Sequence, residues 1–144
     1  MCSKDCKKYG IAAGTSVVLV TAMEFVVHHL ILSPTYQKPE FASIWNTPET
    51  MNSRMPAMLL AHALFGLVFA WIYTKGYEEA KPPLPQGLRY GLMAGLLTGV
   101  HSALINYFVY PVSCGLACSW AAAAVVECLI LGAVVSFIYR PHSH

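Results

Sequence analysis

Charge is scarce in this sequence: charged residues make up only 11% of the 144, where an ordinary soluble domain has about a quarter. That shortage excludes a conventional soluble fold, because 56% hydrophobic residues and a mean hydropathy of +0.53 exceed what one buried core can absorb. The motifs of familiar soluble enzymes are missing as well. There is no phosphate-binding glycine loop, dinucleotide fingerprint, nucleophile elbow or His-Glu-x-x-His. The net charge of +2 is not gathered into a basic patch, so no nucleic-acid partner is expected. Five cysteines include no Cys-x-x-Cys pair, which argues against disulfide-exchange chemistry. No internal repeat, second domain or low-complexity tail is visible.

What the sequence does have is four apolar runs, 11–32, 56–74, 90–109 and 116–138. Each is close to the roughly 20 residues that cross a hydrocarbon core. Backbone groups must be satisfied internally in lipid, so the runs are expected to be helices. The expected fold is all-α: a single transmembrane domain, an up-and-down bundle of four helices. Lys4, Lys7, Lys8, Lys75, Lys81, Arg89 and Arg140 fall on one side of this arrangement, and only Lys38 and Arg54 on the other. By the positive-inside rule both termini are cytoplasmic, and the expected site is a bacterial cytoplasmic (inner) membrane. A competing reading makes the first run a signal peptide cleaved near Val20-Thr21-Ala22. The run continues through Phe25, Val26, Val27, Leu30, Ile31 and Leu32, which favours a retained span.

The connections differ in character. The first, 33–55, carries three prolines with Tyr36, Phe41 and Trp45, and is expected to lie along the membrane surface with its rings in the interfacial belt. Within it, Asn46 or Thr47 before Pro48 and Glu49 reads as a helix start, with a bend at Pro56. The second connection, 75–89, holds Pro82, Pro83 and Pro85 and is expected to be an extended, solvated link. The third, around Tyr110-Pro111, is short enough to make the last two spans antiparallel neighbours.

Gly87, Gly91, Gly95 and Gly99 recur every four residues in the third span. Small residues at that spacing let helix backbones approach closely, with Ala121 to Ala124 as the expected answering surface. Packing inside one subunit is preferred over a homo-oligomer contact.

Ionisable groups inside apolar runs are the candidates for function. Glu24, His62, His101 and Glu127 fall within roughly 5 Å of one another in depth, at about 1.5 Å rise per residue. Glu24 and His28 share a helix face, whereas His29 points elsewhere. Glu24, His28, His101 and Glu127 are candidate ligands for a divalent metal, although the Glu-x-x-His spacing of carboxylate-bridged sites is absent. His62 and His101 are candidate ligands for a b-type haem, and the two glutamates are candidate proton carriers. Against these stands a structural role, because hydrogen bonds between helices, at about 0.6 kcal/mol each, glue bundles without chemistry. No span carries a continuous polar stripe, so a channel is not expected. Cys2 and Cys6 are read as idle thiols or palmitoylation sites, Cys114 and Cys118 as a pair at the external surface, and Cys128 as a core residue. His142 and His144 are read as a solvated tail.

Thr74 to Tyr77, Gly87 to Gly91, Tyr110-Pro111 and Tyr139 to Pro141, together with Glu24 and His28, carry a resemblance over most of the chain. The sequence resembles a family of uncharacterised small bacterial four-span integral membrane proteins. The resemblance implies the four-span architecture and brings no activity with it. The insertion at 81–85 and the Cys114/Cys118 pair depart from the family pattern. Two functions compete. The first, preferred, is a non-catalytic membrane subunit that associates with lipid, with itself or with a larger complex. The second is a metal-, haem- or proton-handling membrane protein.

Overall fold

The computed structural model describes residues 2–140, with side chains from Asp5 onward. His142 and His144, and the side chain of Cys2, lie outside what it describes. Among the described residues there is helix and irregular chain and no strand. Four helices, Asp5–Ile31, Met55–Gly76, Pro83–Val109 and Cys114–Ile138, are long and apolar enough to cross a membrane.

The first span is helix α1, Cys2–Phe25, which passes into a π-helical turn over Val26–Ile31. The loop that follows is partly helical, with α2 at Ser33–Tyr36 and a 3-10 turn at Pro39–Phe41. Helix α3, Pro48–Ser53, starts where the sequence places it: Thr47 caps it, its hydroxyl accepting from the Thr50 N–H at 3.3 Å. The chain breaks at Arg54 instead of bending at Pro56, and α4 runs over Met55–Gly76 with Pro56 in its first turn. The second connection is shorter than expected. Helix α5, Pro83–Gly95, begins at the prolines, since a first helical turn tolerates residues without an N–H. Gln86 organises the turn ahead of it, accepting from the Glu78 N–H and donating to the Glu78 and Lys81 carbonyls, each at 2.9 Å. Glu78 in turn binds Lys81 at 2.7 Å, and this hydrogen bond, with a further one from Arg89, holds its carboxyl below the usual range. The little stability this exposed pair adds is therefore present at neutral pH and lost on acidification. A second π-helical turn, Leu96–Val100, joins α5 to α6, His101–Val109. The last span is α7, Cys114–Ile138, capped by Ser113.

Two close helix pairs build the bundle. The third span lies against α7, and α4 lies against α1. Gly87 meets Gly132 and Ser136, Gly91 meets Cys128, Gly95 meets Val125 and Gly99 meets Ala124. The answering surface is thus a second row of small residues at four-residue spacing, Ala124, Cys128, Gly132 and Ser136. The expected run from Ala121 to Ala124 contributes only its last member. In the other pair, Gly66 sits on the Val17 backbone. Contact between α1 and α7 joins the pairs. Lys8 donates to the Arg140 carbonyl, so the first and last described turns meet at one end.

Aromatic rings fill that end. Phe69, Tyr73, Tyr77, Tyr90 and Tyr139 form a connected cluster, and the Tyr90 hydroxyl donates to the Phe69 carbonyl at 2.7 Å. At the other end Phe41 is 2% exposed and packs with Leu32, Val112 and Leu116, bordered by Tyr36, Ile44 and Trp120. The rings of the first connection therefore pack on the protein, with Trp45 still 37% exposed. Covering Leu32, Leu116 and the Trp120 ring gains more contact than leaving rings and partners both exposed. The outer faces are apolar, as at Leu97 and Phe108, 75% and 88% exposed. Such faces are compatible with contact with a lipid bilayer.

A Cβ at Gly91 would overlap the Cys128 carbonyl, whereas one at Gly10 meets nothing within 4 Å. Gly91→Ala is therefore expected to destabilise by about 1–3 kcal/mol through overpacking. Gly10→Ala is expected to be neutral or stabilising by up to about 1 kcal/mol. Thermal unfolding in mild detergent separates the two.

Candidate functional site

Because α4 follows α1 and the third span follows α7, α4 and α6 have no partner in each other. Rings join α4 to α5 at the end where Lys8 meets Arg140, and α4 and α6 each form a wall of one cavity. A cleft of about 710 Å³ lies between, with Ala61, His62 and Phe65 on the α4 wall and Thr98, Ser102 and Asn106 on the other. Its floor comes from α1 and α7 and includes Glu24, His28, Glu127 and Cys128. Ile44, Trp45, Asn46, Tyr110 and Trp120 line its far end.

Helical spacing places the first pair of polar groups. Glu24 and His28 are one turn apart, and the Glu24 carboxylate Oε2 lies 3.0 Å from His28 Nε2. The π-helical turn begins just after Glu24, at Val26, and carries His28 back over the loop. There His28 Nδ1 is 2.5 Å from the Tyr36 hydroxyl, and that hydroxyl accepts from Trp120 Nε1 at 2.8 Å. One proton arrangement satisfies every member: Trp120 donates to Tyr36, Tyr36 to His28 Nδ1, and His28 Nε2–H to Glu24. The chain of bonds ties the first connection to α1 and α7.

The second pair is different. Glu127 is 7% exposed, and its Oε1 has no hydrogen-bond partner. His62 Nδ1 is likewise buried and unpartnered. Leaving such a group unsatisfied costs about 1–3 kcal/mol, and more for a charged one. Both residues line the cleft.

Glu24, His28, His62 and Glu127 thus share one cleft, and His101 does not. His101 is exposed, outside the cleft lining, one residue past the π-helical turn at Leu96–Val100. It shares the exposed face with Leu97 and Ile105, one helical turn to either side. His62 and His101 are therefore not set across one cavity for a b-type haem. Glu24, His28, His101 and Glu127 do not converge either: no three metal-ligating side chains among the described residues are placed to hold an ion. His29 is exposed and stacks on Phe25 at 4.8 Å. Cys114 and Cys118 are exposed with their sulfurs 3.9 Å apart, and Cys128 is buried in the core.

Sequence reasoning missed Tyr36 and Trp120, whose meeting across 84 positions has no local signal. It also missed Thr98, Ser102 and Asn106, which did have one: three polar residues at four-residue spacing form a stripe along an otherwise apolar span. No family model, curated protein or solved structure matches this chain.

Tyr36→Phe leaves both His28 Nδ1 and Trp120 Nε1 without a partner. It is expected to cost about 1–3 kcal/mol, more than Trp120→Phe, which leaves the Tyr36 to His28 bond intact. Melting temperatures followed by far-ultraviolet circular dichroism test this order.

Proposed function

We propose that this chain is an integral membrane protein of four spans whose lateral cleft binds a small ligand at Glu127. The observation that carries this reading is Glu127, which lines a cleft of about 710 Å³ and whose Oε1 is buried without a hydrogen-bond partner. Pockets of roughly 300–1,000 Å³ suit small organic ligands. Polar residues inside a bilayer are expensive, and a structural role would have left them fully bonded. Glu24 and His28 fit that structural role through Tyr36 and Trp120, and Glu127 and His62 do not.

On this reading both termini are cytoplasmic, in keeping with the seven lysines and arginines assigned to that side. The resemblance to small bacterial four-span proteins supports a bacterial inner membrane.

A purely structural subunit is the second reading, favoured by the apolar outer face at Leu97 and Phe108. The glycine stripe is already occupied by α7, so self-association or docking to a larger complex would use that outer face instead.

Dicyclohexylcarbodiimide, which couples to protonated carboxyls reachable from lipid, tests the ligand-binding reading. One adduct on Glu127, absent in Glu127→Gln, is expected by peptide mass spectrometry. A span region left unmodified would favour the structural subunit. For topology, a green fluorescent protein fused to the C-terminus is expected to fluoresce, and alkaline phosphatase placed there to be inactive.

A further inference from the structure

We propose that the ligand of this cleft is a lipophilic organic cation: a quaternary ammonium, a phosphonium or a protonated amine carrying alkyl or aryl groups. The proposal rests on the ligand-binding reading above and adds the chemical class.

Charge comes first. The cleft lining holds two carboxyl groups and no lysine or arginine. His28 is already engaged at both nitrogens, by Glu24 and Tyr36. An anion would find no free permanent charge to bind, whereas a cation finds Glu127. Glu127 is 7% exposed and its Oε1 is buried without a partner, so an ion pair formed there is weakly screened.

Size and shape exclude the simplest cations. A bare metal ion needs several donors converging at about 2.0–2.6 Å. No three metal-ligating side chains among the described residues converge in that way, and about 710 Å³ is far more space than an ion fills. An organic cation spreads its charge over a larger surface and needs apolar walls. Phe65, Ala61 and Leu131 provide them.

Aromatic rings supply the second element of recognition. Trp45 and Trp120 both line the cleft, with ring centroids 6.3 Å apart and planes at 73°. Tyr110 lines the same end. Faces of Trp and Tyr attract ammonium and phosphonium groups through the ring quadrupole, by about 0.5–2 kcal/mol. The outer faces of the bundle are apolar, as at Leu97 and Phe108, which suits a molecule that partitions into lipid before it binds. Two sources share this chemistry: the ammonium headgroup of phosphatidylethanolamine, and a free amphiphilic cation.

The test is equilibrium dialysis of the full chain in dodecyl maltoside, a neutral detergent, against radiolabelled tetraphenylphosphonium. Saturable binding is expected, at least tenfold weaker in Glu127→Gln and retained in Glu127→Asp. Trimethyl(phenyl)ammonium is expected to displace the probe, and its neutral isostere tert-butylbenzene is not. Competition by phosphatidylethanolamine, with none from phosphatidylglycerol, would identify the lipid headgroup as the source. Competition by neither lipid would identify a free cation. Equal displacement by tert-butylbenzene, or unchanged affinity in a folded Glu127→Gln, would overturn the proposal. If Glu127→Gln does not fold, the Asp variant and the isostere pair still decide. Absence of probe binding together with carbodiimide coupling at Glu127 would remove the cation and leave the ligand-binding cleft. Absence of both would remove the cleft reading itself.

Discussion

The architecture depends on one backbone-to-backbone approach, that of the third span to α7. Gly87, Gly91 and Gly95 stand where any side chain would collide with Gly132, Cys128 or Val125. In a bilayer no hydrophobic force draws helices together, so dispersion contacts at such close range must do so. Gly66 against Val17 repeats the device in the other pair. Each outer helix is thereby committed to an inner partner, α4 to α1 and α5 with α6 to α7. Nothing remains to pull α4 and α6 together, and the cleft is the geometric remainder of two tight pairings.

Around that remainder the polar groups are treated unequally. The set Glu24, His28, Tyr36 and Trp120 is closed, each donor finding an acceptor, and it fastens the first connection over the far end of the cleft. Glu127 and His62, on facing elements, are left open. Both π-helical turns border the same cleft, one contributing Val27 and His28 and the other Thr98 and Gly99. Inserted residues of this kind interrupt helical regularity at a cost, and they recur where a protein needs a side chain aimed off the regular face. The closed set holds the first connection against α1 and α7; the open pair is the ground for the proposed ligand site.

Much of this was legible in the residues. Four apolar runs announce four long helices, Thr47 before Pro48 announces a cap, and glycines at 87, 91, 95 and 99 announce a close helix contact. Three features were not. The prolines at 83 and 85 looked like a linker because proline is tolerated only in the first turn, and sequence alone does not say where that turn falls. His101 was grouped with Glu24, His62 and Glu127 by depth alone, and depth does not say which face of its helix a residue occupies. Cys128, Gly132 and Ser136 drew no notice as a surface, since a cysteine and a serine break the visual pattern of small apolar residues. Of the ionisable residues noticed inside the apolar runs, Glu24, His28, His62 and Glu127 line one cleft and His101 does not; which of the four is bonded and which is open depends on Tyr36 and Trp120, distant in sequence.

Central to this architecture is a cleft inside the bundle that is reachable from outside the protein. Cysteine accessibility measures it directly. In a background lacking the native cysteines, Ser102→Cys lies on the cleft wall, and Leu97→Cys, on the same span, lies at a position 75% exposed on the apolar outer face. With the protein in lipid vesicles, a small cationic thiosulfonate is expected to modify the first within seconds to minutes and to leave the second unreacted. Silence at position 102, or equal reaction at both positions, would contradict the cleft.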